Sequence, residues 1–127
     1  NLVKGLAFLE EIGKREGVMT HESGLQYEMP VEGTGAQPTP SSNVTVHYEG
    51  TLIDGKKFDS SYDRGEPISF GLGNLIKAWQ IGIPLMKEGG KIRLYSPSDL
   101  AYGPQGPASI GPNQTLIFEV ELISVND

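Results

Sequence analysis

The sequence predicts an α+β fold: an antiparallel five- to six-stranded half-barrel sheet wrapped around one short helix, with an N-terminal helix. Apolar and polar residues alternate along several segments, turn residues separate those segments, and two stretches show helical spacing. With 17 Gly and 9 Pro among its 127 residues, the chain is rich in turns. This length is the usual size of one domain with its own hydrophobic core.

The first predicted helix covers residues 2–16, where apolar side chains recur at helical spacing and Gly17 marks the expected end. The helix opens abruptly at Asn1, without Met, and precedes the linker-like GVMTHESG. This favours a helix that continues upstream into an oligomerisation segment; a helix that packs on its own domain is the alternative. We therefore expect residues 1–20 to end an upstream dimerisation segment and residues 21–127 to form the globular domain.

From residue 24 the pattern changes to strict alternation, which predicts half-buried antiparallel strands. Polar residues at the alternate positions indicate that the other face of the sheet meets water. The turn at Asp54-Gly55 predicts a hairpin between two of these strands. The residues expected to face inward are Leu25, Tyr27, Met29, Val44, Val46, Tyr48, Leu52, Ile92, Leu94, Leu116, Phe118, Val120 and Leu122.

The second predicted helix is short. Leu75, Trp79 and Ile83 recur at every fourth residue before Pro84, which predicts one helix that buries Trp79 against the concave face of the sheet. No run of 18 apolar residues occurs, so the sequence predicts no helix that spans a membrane.

Composition excludes several classes of function. The formal charge of -6 gives no basic footprint for nucleic acid. The sequence contains no cysteine, which rules out thiol nucleophiles and zinc-thiolate sites. His21 and His47 lie too far apart in sequence to suggest a metal centre, and we expect both to have surface roles. The sequence thus predicts neither a metal nor a cofactor.

Asp59 raises a specific question, because it follows Phe58 directly at the end of the predicted hairpin. Together with Glu49 and Asp63 it could serve general acid/base catalysis, but the spacing is not diagnostic. The pair Ser60-Ser61 lacks the G-x-S-x-G context of a serine hydrolase. A salt bridge or a solvated loop position are the simpler interpretations of Asp59.

Aromatic residues concentrate near the predicted turns. Core packing is the preferred interpretation of Phe70. The other aromatic residues are more numerous than the core of a small sheet with one short helix needs. They predict an open apolar pocket with a few polar groups at its rim. The aromatic residues in question are Tyr48, Phe58, Phe70, Trp79, Tyr102 and Phe118.

Four stretches resemble the FKBP-type peptidyl-prolyl cis/trans isomerase domain: VTVHYEGTLIDGKKFDSSYDRGEP, LIKAW, SPSDLAYG and NQTLIFEVELISV. Their order and spacing match that family over residues 24–125. The preceding EEIGKREGVMTHESGLQYEM is similar to the bacterial envelope subgroup exemplified by the macrophage infectivity potentiator, whose upstream helices dimerise. The resemblance implies an isomerase (rotamase) of X-Pro bonds without a cofactor, in the periplasm or at the outer membrane, although cytoplasmic relatives exist.

The resemblance also implies roles for single residues. Trp79 would form the pocket floor, Asp59 and Tyr102 would supply polar contacts, and Arg64 would pair with Asp59 at the rim. Ile110 would lie on the loop 103–113, the family's flap. The implied catalytic residues are Asp59, Tyr102, Phe58, Trp79 and Phe118, and the implied substrate-binding residues are Tyr48, Arg64, Ile68, Leu75, Ile76 and Ile110.

The implied partners are proline-containing unfolded or partly folded polypeptides and macrolides of the FK506 and rapamycin type, with a homodimer formed through upstream helices. A proline-binding module or a holdase chaperone with little turnover is the alternative, because the same pocket would serve it. The sequence departs from the family pattern at Ile68, usually aromatic, at Ala78, usually Gly, and at Gly111, usually Pro. These departures predict an altered pocket shape.

Overall fold

The structure, a computed structural model, describes residues 2–21, 23–102, 110 and 113–126. Short 3-10 turns lie at Leu72–Asn74, Ile83–Leu85 and Ser98–Leu100. The helices and strands are α1 (Leu2–Gly13), β1 (Met19–Thr20), β2 (Gln26–Val31), β3 (Asn43–Leu52), β4 (Lys57–Ser60), α2 (Ser61–Arg64), β5 (Ile68–Gly71), α3 (Lys77–Gly82), β6 (Lys91–Ser96) and β7 (Leu116–Val125).

All strand pairings are antiparallel, and the strands form one seven-stranded sheet in the order β1-β2-β6-β7-β3-β4, with β5 also paired to β3. The predicted α+β class is confirmed. The sheet has one strand more than expected because Met19 and Thr20, in the predicted linker, pair with Tyr27 and Gln26. A two-residue strand carries no periodicity, so only its tertiary partner defines it.

The predicted alternation is present along the long central strands. In β3, Val44, Val46, Tyr48, Gly50 and Leu52 are buried, while the residues between them are half-buried. In β7 the alternate positions from Leu116 to Leu122 are buried in the same way. Helix α3 covers this apolar face, and Trp79 is only 4% exposed. The core is therefore enclosed between one helix and the concave face of the sheet.

Helix α1 lies on its own domain. Leu9 and Ile12 are buried in a small cluster with Tyr95 of β6. Val3 and Leu6, in contrast, are 80% and 57% exposed. The helix ends at Gly13 rather than near Gly17, because the next amides bond to carbonyls three residues back and tighten the chain into turns. In the described part of the chain, no helix has the length and apolarity needed to cross a membrane.

Helix α2 is absent from the sequence prediction, which had only two helices. Its four residues are too few to show helical periodicity. Local chemistry explains it: the Ser60 hydroxyl accepts the Asp63 amide at 3.3 Å as an N-cap, and Gly65 ends the turn in the left-handed region at φ 75°. This single turn brings Arg64 within 2.6 Å of Asp59.

Candidate active site

A cavity of about 160 Å³ opens over α3 on the concave side of the sheet. Its walls come from strands β3, β4, β5 and β7 and from the segment that enters α3. Aromatic and aliphatic side chains make up most of the lining, with one carboxylate among them. The lining residues are Tyr48, Phe58, Asp59, Phe70, Leu75, Ile76, Trp79, Tyr102 and Phe118.

Edge-to-face ring contacts hold the aromatic walls. The Trp79 ring centroid lies 5.0 Å from that of Tyr48, 5.6 Å from that of Phe70 and 5.4 Å from that of Phe118. The interplanar angles are 76°, 81° and 90°, and Phe58 meets Phe118 at 86°. This geometry is favourable for aromatic quadrupoles, and each such pair contributes roughly 0.5–1.5 kcal/mol beyond area burial. The walls are therefore preorganised.

Gly50 of β3 makes room for two of these rings. A Cβ atom there would lie 2.6 Å from the Phe58 ring and 3.1 Å from the Phe118 ring.

We expect Gly50→Ala to lower the free energy of unfolding by about 1–3 kcal/mol, as overpacking does, and to lower affinity for cavity ligands. Urea titration and ligand binding measure both effects. Gly73→Ala is a suitable control because the space around Gly73 is open. Unchanged stability in Gly50→Ala would show that the rings move aside freely.

Asp59 occupies a polar corner at the rim of the cavity. Its Oδ2 accepts the Tyr48 hydroxyl at 2.5 Å, while its Oδ1 accepts Arg64 Nη1 at 2.6 Å and the Ser60 amide at 2.9 Å. Arg64 Nη2 also donates to the Tyr48 hydroxyl oxygen at 3.0 Å, which closes a triangle of three side chains. Both carboxylate oxygens are thus engaged within the protein.

These contacts decide the charge of the carboxylate. Partial burial by itself raises the pKa of Asp59, but hydrogen bonds from Tyr48 and Arg64, and the charge of Arg64, outweigh it and hold the pKa below its usual range. Burial and the neighbouring carboxylate raise the pKa of the Tyr48 hydroxyl. Asp59 is therefore ionised and Tyr48 protonated at neutral pH. A carboxylate of this kind is a weak proton acceptor and a strong orienting group.

Of the eleven site residues implied by the resemblance, the structure brings eight together around the cavity and a ninth, Arg64, to its rim through Asp59. Ile68 is half-buried and packs against the core, and Ile110 is 6% exposed within the core; among the described residues, neither lines the cavity. Residues 103–109 and 111–112 of the expected flap lie outside the described residues. The eight are Tyr48, Phe58, Asp59, Leu75, Ile76, Trp79, Tyr102 and Phe118.

Phe70 lines the cavity as well, although core packing was its preferred interpretation from the sequence. Its half-buried ring packs against the core, and it also contacts Trp79. The ladder between β3 and β5 explains its inward direction: Phe70 pairs directly with Val44, so the two side chains share the inner face of the sheet.

Two wider grooves, of about 320 and 550 Å³, lie on the outer face of the sheet. Both include Glu49, Arg93 and Glu119. Arg93 is bound by Glu28 at 3.2 Å and by Glu119 at 2.8 Å, so these charges satisfy one another. Within the described residues, no group of His, Asp and Glu side chains could hold a metal ion. We place the functional site in the smaller cavity, where aromatic rings and one ionised carboxylate converge.

Family profiles and known proteins resemble this chain over most of its length. A family profile described as FKBP-type peptidyl-prolyl cis-trans isomerase matches residues 34–123, and one described as the domain amino terminal to it matches residues 1–29. The isomerase FkpA of Escherichia coli (strain K12) is 49% identical over 125 residues, which cover 98% of this chain and 46% of FkpA. The outer membrane protein MIP of Legionella longbeachae is 47% identical over 128 residues, 98% of this chain and 54% of MIP.

The crystal structure of FkpA from Escherichia coli superposes with a TM-score of 0.95 at 48% identity, and the match covers 98% of this chain and 58% of that one. The chain spans about half the length of the curated relatives it matches. The profile match covers most of the chain, including every residue that lines the cavity. The chain belongs to the FKBP-type peptidyl-prolyl cis-trans isomerase family.

Proposed function

We propose that this domain accelerates cis/trans rotation about X-Pro bonds in unfolded or partly folded polypeptides. The observation that carries the proposal is the cavity itself: a preorganised aromatic box with Trp79 at its floor and an ionised, internally hydrogen-bonded Asp59 at its rim. A proline ring is a compact apolar ligand that such a box would enclose, and its amide would lie beside the polar rim.

Rotation about an X-Pro bond requires little from the protein beyond an apolar cavity with a polar rim. Rotation of the X-Pro amide faces a barrier of about 18–20 kcal/mol, which is the lost amide resonance. No bond forms or breaks, so no nucleophile or titrating base is needed. The twisted amide loses its charge-separated form and becomes less polar, so an apolar box favours it over the planar ground state. Each 1.4 kcal/mol or so of this preference gives about a tenfold gain in rate.

The rim groups orient the substrate in this mechanism. Asp59, fixed by Arg64 and the Tyr48 hydroxyl, shapes the polar edge against which the twisted amide lies. Tyr102, which is 42% exposed at the mouth of the cavity, is placed to donate its hydroxyl to a substrate carbonyl. Phe58 and Phe118 hold the proline ring from the sides. Proton transfer plays no part.

A refolding experiment tests the function against the holdase alternative. The substrate is a protein whose slow refolding phase is limited by a native cis-proline. We expect this domain, at a concentration far below that of the substrate, to accelerate the slow phase without changing the yield. A holdase would raise the yield only near equal concentrations and leave the rate unchanged. That second outcome would replace the isomerase proposal with the binding-module one.

The mechanism makes a prediction about pH. The pKa of Asp59 is depressed in the folded state, so its charge, and the stability it contributes, are lost only as the pH falls through that lowered value. We expect kcat/KM for a neutral peptide to be flat between about pH 5 and pH 9, well above the ordinary Asp pKa of about 3.9. A pH series in the NMR exchange assay measures it. An inflection within that range would indicate a titrating catalytic group.

We propose further that the cavity binds macrolides of the FK506 and rapamycin type, because they present an apolar ring and carbonyl groups to the same kind of box. FK506 should then inhibit isomerisation competitively with a proline peptide. Chemical-shift changes confined to Trp79 and Phe118 and their neighbours would locate the binding. Binding of FK506 elsewhere, without inhibition, would contradict this part of the proposal.

For residues 1–20 we propose the end of a dimerisation segment in the cell envelope. The support is that Val3 and Leu6 of α1 stay exposed while Leu9 and Ile12 of the same helix pack on the domain. A relative named as an outer membrane protein supports the envelope location. Light scattering on a chain extended upstream of Asn1 should give a dimer. A monomer at all concentrations would contradict the proposal.

A further inference from the structure

We infer that Ser61, a buried serine behind the cavity wall, is a positioning residue for the site: its hydroxyl replaces a missing strand partner of Tyr48. This inference rests on the proposed isomerase function, because the group positioned is the Tyr48 phenol that holds Asp59. Ser61 itself does not line the cavity. The hydroxyl acts on the site only through the backbone of β3.

The sheet has a gap beside Tyr48. One edge of β3 pairs with β5 up to Val46, opposite Ile68, and with β4 from Glu49, opposite Ser60. Tyr48 lies between these two ladders. In antiparallel pairing, the amide and the carbonyl of one residue point to the same side. Both backbone groups of Tyr48 would therefore face a place where neither neighbouring strand offers a partner.

The Ser61 hydroxyl fills that gap. It accepts the Tyr48 amide at 2.7 Å and lies 3.3 Å from the Tyr48 carbonyl oxygen, to which it can donate. It also lies 2.8 Å from His47 Nδ1, the other group within its reach. Ser61 is completely buried, so water does not compete for these bonds. The Ser61 side chain thus supplies the hydrogen bonds that the backbone of a strand residue would supply, at the point where β4 has already ended.

Ser61 is connected to the polar corner from two directions. Through β3 it fixes Tyr48, whose hydroxyl binds Asp59 at 2.5 Å and whose ring meets Trp79 at 5.0 Å. It is also the first residue of α2, the turn that ends in Arg64. Ser61 is therefore linked to the triangle of Tyr48, Asp59 and Arg64 twice, once through Tyr48 and once through Arg64. Loss of the Ser61 hydroxyl should make the position of the Tyr48 phenol less fixed and should leave the position of Trp79 unchanged.

A double-mutant cycle separates positioning from simple structural support. Removal of the neutral hydrogen bonds that hold the backbone of Tyr48 should lower kcat/KM by about three- to tenfold in Ser61→Ala. If the hydroxyl acts through the Tyr48 phenol, Ser61→Ala should cause less than about a twofold further loss in a Tyr48→Phe background. Equal fold-losses in both backgrounds would overturn the inference, as would an unchanged kcat/KM in folded Ser61→Ala.

Ser42→Ala is the matched control. Ser42 is 1% exposed, and its hydroxyl accepts the Thr39 amide at 2.9 Å, but it does not line the cavity. Ser42→Ala should therefore leave kcat/KM unchanged even where it lowers stability. A comparable loss of kcat/KM in Ser42→Ala would show that any buried serine has this effect and would overturn a specific role for Ser61.

A measurement without substrate separates this inference from the proposed function. In Ser61→Ala, the Tyr48 amide should exchange faster with solvent, and the NMR resonances of the Tyr48 ring and the Asp59 carboxyl should shift. If the wild type has no isomerase activity, the proposed function fails, and these resonances alone test the role of Ser61. Unchanged resonances would overturn it. Should Ser61→Ala not fold, Ser61→Cys takes its place in every arm, because a thiol is a weak hydrogen-bonding group of similar shape.

Discussion

Trp79→Ala is expected to lower the free energy of unfolding by about 3–5 kcal/mol, the usual cost of truncating a buried large aromatic side chain. Trp79 is only 4% exposed and meets three other rings edge to face, so its removal would leave a cavity and unsupported aromatic walls. We also expect most of the isomerase activity to be lost, because the apolar floor is gone.

Urea unfolding followed by far-UV circular dichroism measures this stability loss. Tryptophan fluorescence is unsuitable, since Trp79 is the one tryptophan of the chain. Trp79→Phe is the matched control, because it keeps an aromatic floor and should lose less stability and less activity. A loss below about 1 kcal/mol in Trp79→Ala, well under the usual range, would contradict its place at the centre of the packing.

Asp59→Ala is expected to lower kcat/KM by about 10- to 100-fold without abolishing it. A hydrogen bond that involves a charged group contributes roughly 1.5–3 kcal/mol, and the aromatic box that remains should still favour the twisted amide. Steady-state kinetics on a proline peptide measures the loss. Variant Asp59→Asn should fall between Asp59→Ala and the wild type, because the amide oxygen can still accept the Tyr48 hydroxyl.

Asp63→Ala is the control for this experiment. Asp63 lies four residues away in the same segment and pairs with Lys57 at 2.7 Å, but it does not line the cavity. Its replacement should leave kcat/KM within about twofold, since exposed ion pairs contribute little. A folded Asp59→Ala protein with no activity at all, or with a new ionisation in its pH-rate profile, would indicate a chemical role for Asp59 instead of an orienting one.

Sequence periodicity predicted the parts of this fold that are long and half-buried. Strands β3 and β7 each have ten residues, enough for an alternating pattern to be unambiguous. The spacing of Leu75, Trp79 and Ile83 predicted a helix around Trp79, although the α-helix itself covers only Lys77–Gly82. Both features depend on which residues face the core, and hydrophobic patterning records that directly.

Sequence periodicity did not predict the short elements or the features that depend on tertiary structure. Strand β1 has two residues, and helix α2 has four, so neither shows a period. The gap filled by Ser61 depends on where β4 ends and β5 begins along β3, which is a property of the assembled sheet. Phe70 was taken as core because its sequence context does not show that one part of its ring borders an open space.

The resemblance named eight of the residues that line the cavity, and all eight lie within the motifs that carry it. The pairing of Arg64 with Asp59, expected from it, is present at 2.6 Å. Ile68 and Ile110 pack against the same core cluster but are not among the residues that line the cavity. At Ile68, the sequence departs from the family's usual aromatic residue.

According to the proposed function, this cavity favours the twisted form of an X-Pro amide. The decisive measurement is the cis-to-trans exchange rate of a short Leu-Pro peptide, measured by protease-free NMR exchange with the wild type and with Phe118→Leu. Leucine keeps an apolar side chain at this buried position but removes the flat ring that meets Trp79 at 90°. We expect the wild type to accelerate exchange and a folded Phe118→Leu variant to lose most of the acceleration. No acceleration by folded wild-type protein would contradict the claim and leave a proline-binding module as the better description.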